Sequence, residues 1–213
     1  MLASAWHYIV EHPDRFGAAL WRHISLSAVA LAIAAAIAIP LGIWLARRTR
    51  YALVAINAAN VGRTLPSLAV LALMMPLLGT GFTPALFALT LLALPPILIN
   101  TYAAVRQVDP DVIDAARGMG MSRREILWKV ELPLAMPVIV AGLRISAVTV
   151  ISVTVVAAYV NAGGLGSIIF NGIASDYPPK IVTGALAACL LAIAVDVSLA
   201  ALERRLKSRR AVA

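Results

Sequence analysis

From Ile24 to Ala46 the chain runs 23 residues without a charge and then meets Arg47-Arg48-Thr49-Arg50. An apolar helix of that length matches the ~30 Å hydrocarbon core of a bilayer, and a run so long has few homes in a soluble fold. Four further stretches repeat the pattern. They cover about Leu65 to Leu78, Ala85 to Ala104, Leu134 to Val160 and Ile181 to Leu202. The second is approached by a segment holding Asn57, Asn60 and Arg63. The third is expected to break at Pro95-Pro96 and to close at Asn100-Thr101-Tyr102. Hydrophobic residues make up 62% of the chain and charged ones 13%, with a mean hydropathy of +0.90. Soluble domains hold roughly 45–50% apolar and 25% charged residues. The expected fold is therefore an all-α integral membrane protein with five transmembrane helices, organised as one domain over residues 24–203.

An odd number of spans puts the two ends of the chain on opposite sides, and lysine and arginine choose the sides. Thirteen of the 18 basic residues fall after the first span, around the third connection and in the tail 204–213. Only Arg15, Arg22 and Lys180 fall on the other side, while Arg63 and Arg144 lie in or near spans. The N-terminus is expected outside and the C-terminus inside, so the net charge of +8 reads as a topology signal and not as a nucleic-acid footprint. Residues 1–23 read as an interfacial segment broken near Pro13, with Trp6, Tyr8 and Trp21 at headgroup level and His7, His12 and His23 as interfacial polar groups. It lacks the apolar core of a cleavable leader. The single cysteine, Cys189, rules out a disulfide framework or a cysteine-rich metal site.

The longest polar stretch, 109–133, lies between the third and fourth spans on the inner side. Asp109-Pro110 reads as N-cap and first helical residue, and Gly118 and Gly120 stop that helix. Ser122-Arg123-Arg124-Glu125 is a capping box opening a second helix, which Leu132-Pro133 is expected to end. The result is a helix–turn–helix, polar outside. Membrane segments on both sides leave no room for a DNA-reading dimer.

That stretch resembles the coupling loop of ABC importer permeases. Asp114-Ala115-Ala116 is followed after three residues by Gly120, and after nine more by Val130-Glu131-Leu132-Pro133. The family pattern has Glu for Asp114 and Ile for Val130. The resemblance implies that Asp114, Ala115, Ala116, Gly120, Leu132 and Pro133 contact an ATP-hydrolysing partner, with Ala115-Ala116 as a flat face. Thr64-Leu65-Pro66-Ser67-Leu68-Ala69, Asn100-Thr101-Tyr102, Gly142-Leu143-Arg144 and Ala162-Gly163-Gly164-Leu165-Gly166 extend the likeness to the osmoprotectant permeases of glycine betaine, choline and carnitine. These shorter stretches are shared in part with methionine and sulfonate permeases, which stay open as alternatives, as does a small channel or transporter outside the ABC class.

The implied partners are an ABC ATPase dimer, an extracytoplasmic substrate-binding protein, a second permease subunit and the lipid bilayer of the bacterial inner membrane. No nucleotide-binding loop occurs in the sequence, so ATP and Mg belong to the partner and no cofactor or catalytic group is expected here. Pro66, Ser67, Ser146, Thr149 and Ser152 are candidate pathway or gate residues, with helix packing as the competing reading. Arg144 and Asp196 fall at depths within the inner half that let them meet. An intramembrane charge needs a partner, so an ion pair between them is expected.

Overall fold

The computed structural model describes residues 2–210. Met1 and the last three residues of the basic tail, 211–213, lie outside the described residues. Ten α-helices follow in order among the described residues: α1 (Leu2–Glu11), α2 (Pro13–Ala46), α3 (Thr49–Gly62), α4 (Ser67–Leu78), α5 (Phe82–Arg106), α6 (Pro110–Gly118), α7 (Arg123–Ile126), α8 (Leu132–Ala157), α9 (Leu165–Ala174) and α10 (Pro178–Arg210). Four long apolar segments are able to cross a membrane: α2, α5, the stretch containing α8, and α10.

The stretch expected to form the remaining crossing is not one helix. α3 and α4 meet at a bend of 96°, and the 12 residues of α4 rise only ~18 Å, too little for the core of a bilayer. The two ends of the bundle are fixed by polar contacts. At one end Arg47 meets Glu131 at 2.7 Å. At the other, the Gly81 N–H donates to Val160 O at 2.8 Å and Arg22 Nε donates to Ala162 O at 3.1 Å. α3 and α4 together carry the chain from the first end to the second.

Several helix limits differ from the sequence reading, each for a local reason. The break near Pro13 is real, with His12 as N-cap, but α2 then runs unbroken through residue 24 and on through Pro40. α10 likewise passes 203 without a break. α5 continues through Pro95-Pro96 to Arg106, so neither that pair nor Asn100-Thr101-Tyr102 interrupts it. There Asn100 Nδ2 donates to Pro96 O and Ser146 Oγ donates to Ala93 O, while the carbonyls that the two prolines leave without a helical N–H are those of Leu91 and Leu92. The glycine-rich connection after the fourth span contains α9, and Tyr8 is buried against Ile168 and Ala188 instead of sitting at headgroup level. Trp6 and Trp21 remain exposed.

The core is a seam of small residues. Ala30, Ala34 and Ala38 of α2 meet Ala85, Ala88 and Ala93 of α5, with Leu26, Leu71, Leu89 and Ile97 filling the larger gaps. In lipid, such close approach supplies the attraction that hydrophobic exclusion cannot. One close approach joins two of the short motifs: a Cβ on Gly142 would stand 2.6 Å from Asn100 Cβ. Gly142→Ala is therefore expected to force α5 and α8 apart and destabilise the bundle by about 1–3 kcal/mol. Thermal unfolding in detergent checks this, and an unchanged midpoint would contradict it.

His23 is also not interfacial. It is fully buried, its Nε2 donating to Ile151 O at 3.1 Å while Nδ1 accepts the Leu165 N–H at 3.3 Å. Those two bonds require the neutral ring with the proton on Nε2. Together with Arg22 it clamps the loop 162–165 onto the start of the first long helix.

Candidate coupling surface and transport face

The stretch 109–133 stands at the Arg47 end. Asp109 caps α6 by accepting the Asp111 N–H at 2.9 Å, and Pro110 occupies the first turn. α6 ends in a Schellman turn: the Gly120 N–H reaches Arg117 O and the Met121 N–H reaches Ala116 O. That turn puts Gly120 at φ +82°, with open space where a Cβ would go. A side chain there is opposed by backbone strain and not by crowding.

The capping box at Ser122 is fully formed. Ser122 Oγ accepts the Glu125 N–H at 3.3 Å, and Glu125 Oε2 accepts the Ser122 N–H at 3.0 Å. The Ser122 backbone N–H, then its hydroxyl, then Lys129 hold the Glu125 carboxyl down to about 2, so this cap stays ionised across the physiological range. Leu132-Pro133 does not end the second helix. α7 passes through a π-helical turn, Leu127–Glu131, straight into α8. Pro133 has no N–H to return to the preceding turn, and the turn widens so that the Leu132 N–H reaches Leu127 O.

The six loop residues separate into two groups. Asp114, Ala115, Gly120 and Pro133 are exposed, with Asp114 paired to Arg117 at 2.9 Å. Ala116 is 2% exposed and Leu132 is buried against Ala46, Val105 and Ile139. The flat face expected of Ala115-Ala116 is thus Ala115 alone, because successive helical residues point ~100° apart. Glu131, which the sequence reading passed over, is buried and ties the loop to α2 through Arg47. Behind the loop a cleft of about 530 Å³ opens, lined by Arg47, Arg106, Arg117 and Arg123 with Asp114 and Glu131.

The candidate pathway residues do not form one line. Ser146 is buried in the α5–α8 contact, Thr149 bonds Ile145 O of its own helix and Ser152 bonds Val148 O while exposed. Steps of three residues drift by ~60° around a helix, which carries the series from packing to surface. Pro66 and Ser67 sit at the α3–α4 bend. Arg144 and Asp196 form a two-pronged pair, Nε to Oδ1 at 2.6 Å and Nη2 to Oδ2 at 3.3 Å. Arg144 Nη1 also reaches Glu203 at 3.4 Å, and Lys207 meets Glu203 at 2.6 Å.

Residues 38–208 match the family model described as the binding-protein-dependent transport system inner membrane component. The chain is 44% identical over 186 residues to the carnitine transport permease protein OpuCB of Listeria monocytogenes, covering 87% of this chain and 85% of that protein. It is 40% identical over 204 residues to the choline transport system permease protein OpuBB of Bacillus subtilis, with 94% of each chain covered. The osmoprotectant import permease protein OsmW of Salmonella typhimurium is 37% identical over 195 residues, covering 89% and 91%. Among solved structures, an inward-facing conformation of the MetNI methionine ABC transporter superposes with a TM-score of 0.80 at 24% identity, over 90% of this chain and 96% of that one; that likeness shows the fold. With the family model matched over most of its length, this chain belongs to the binding-protein-dependent transport system inner membrane components, multi-pass transport subunits and not enzymes.

Proposed function

We propose that the chain is one half of the translocation unit of an ATP-driven importer for quaternary-amine osmoprotectants such as glycine betaine, carnitine or choline. The observation that carries the mechanism is the capped helix–turn–helix presenting Asp114 and Ala115 at the Arg47 end, anchored from behind by Leu132 and the Arg47–Glu131 pair. The substrate class rests on relatives whose names specify carnitine, choline and osmoprotectant transport. α6 lies in a groove of the partner ATPase, and the residues behind it pass that subunit's motion to α2, α5 and α8. ATP and Mg act in the ATPase pair. A binding protein delivers solute at the opposite end, and a second permease subunit completes the route.

In this reading α3 and α4 count as one broken span, giving five crossings with the N-terminus outside and the loop and C-terminus inside. In a Cys189→Ala background, Ser175→Cys is expected to label from outside intact cells and Ser122→Cys only after permeabilisation. Both positions are exposed. Labelling of Ser122→Cys in intact cells would overturn the orientation. The substrate class is tested with the purified importer in vesicles, by competing labelled glycine betaine uptake with carnitine, choline, methionine and a sulfonate. Competition by the quaternary amines alone is expected. Competition by methionine or the sulfonate alone would replace the substrate assignment.

A further inference from the structure

The bend between α3 and α4 carries a charge at an unusual depth. A Cβ on Gly62 would stand 3.6 Å from Pro95 Cγ. Pro95 lies near the middle of the 25-residue α5, ~20 Å along that helix from its Phe82 end. Arg63 follows Gly62 directly and is exposed in the single subunit. Asn57 and Asn60 share its side of α3, within an arc of ~120° at 100° per residue, and both are exposed.

Among the described residues Arg63 has no ion-pair partner. Nor can the chain supply one at that depth. No Asp or Glu occurs between Asp14 and Asp109. Beyond them, Glu131 is held by Arg47, and Asp196 and Glu203 by Arg144. A second copy of the chain would bring the same shortage. An arginine facing hydrocarbon at mid-depth costs at least ~2.5–3.5 kcal/mol, so this face of α3 must border water or another subunit. The polar arc and the missing carboxylate together describe a place where a transient anionic group is accommodated.

We infer that Arg63 is a specificity-determining residue of the transport route, lining it at mid-depth beside Asn60 and receiving the carboxylate of a zwitterionic solute. This rests on the osmoprotectant-importer reading and sharpens it: carboxylate-bearing betaines pass in preference to a carboxylate-free amine such as choline, whose charge Arg63 repels.

The test uses the complete importer, with ATPase and binding protein, in vesicles. Arg63→Gln is expected to lower the glycine betaine to choline uptake ratio about tenfold or more, the worth of one charge-assisted hydrogen bond. Arg63→Lys retains most of the preference. The binding protein's own selectivity is identical in all variants and cancels in the comparison. Independently, in a Cys189→Ala background, Arg63→Cys reacts with a membrane-impermeant thiol reagent while Leu190→Cys, on the exposed apolar side of α10, does not. Equal effects of Arg63→Gln on both solutes, or an Arg63→Cys thiol no more reactive than that at Leu190→Cys, would overturn the inference. A wild-type complex importing neither solute would instead overturn the osmoprotectant reading, with the thiol measurement still deciding whether position 63 borders water.

Discussion

Ala115→Glu is expected to leave the protein inserted and folded while reducing ATP-driven uptake at least about tenfold, the loss typical of disrupting a packed interface centre. Ala115 is exposed on α6 beside the Asp114–Arg117 pair. A glutamate there costs the isolated helix only a few tenths of a kcal/mol, since Glu is a good helix former. In the proposed contact with the ATPase it brings a charge and a longer side chain that must be desolvated. Ala116→Glu differs because Ala116 is buried. Its effect is expected in folded yield before any effect on coupling. Gly120→Leu is intermediate: its φ of +82° costs a non-glycine residue roughly 1–2 kcal/mol, and the Schellman turn that orients α7 relaxes with it. Measuring yield, binding-protein-stimulated ATPase and uptake for all three variants separates a contact surface from a folding element. Full uptake in Ala115→Glu would remove Ala115 from the coupling contact.

The second large effect is expected at the clasp between α8 and α10. Much of α10 is exposed, including Leu186, Leu190, Ile193 and Val197. Toward its Pro178 end it is held by packing around Tyr8 and Ala188 and by Thr183 Oγ1 donating to Ala5 O. Toward its Arg210 end, Arg144 holds both Asp196 and Glu203. Removing one partner strands a charge of opposite sign in an apolar setting, which is worse than removing both. Arg144→Ala and Asp196→Ala are each expected to lower folded yield several-fold. The double variant should lose less than the two singles combined, although Glu203 still wants a cation and Lys207 supplies one. Additive losses would show that the pair contributes no shared stabilisation.

How far the sequence was legible follows from the range of each interaction. The N-cap at Asp109, the capping box of Ser122 with Glu125 and the turn at Gly120 are settled within a few residues, so composition and spacing identify them directly. The Arg144–Asp196 pair was legible because helix rise converts position into depth and few intramembrane charges compete. Glu203 carries no such signal, because it directly adjoins the basic tail 204–213. The α3–α4 bend stands where the sequence suggests an approach segment and a span. Arg63-Thr64-Leu65-Pro66 marks an interruption, but no local rule fixes an angle of 96°. The burial of Ala116 and the anchoring of Glu131 depend on contacts with distant residues. The π-turn before Pro133 replaced an expected helix end, since a proline in the first turn of a long helix is absorbed when the preceding turn can widen.

The central claim, that this subunit converts ATP hydrolysis in a partner into solute entry, is tested most directly by uptake into vesicles holding the permease and ATPase with the binding protein outside. ATP enclosed in the lumen, together with loaded binding protein, is expected to drive accumulation of labelled glycine betaine above its external concentration. Omission of ATP, or of the binding protein, abolishes it. Accumulation that persists without ATP, or equilibration that needs no binding protein, would contradict the account and make the chain a channel or secondary transporter.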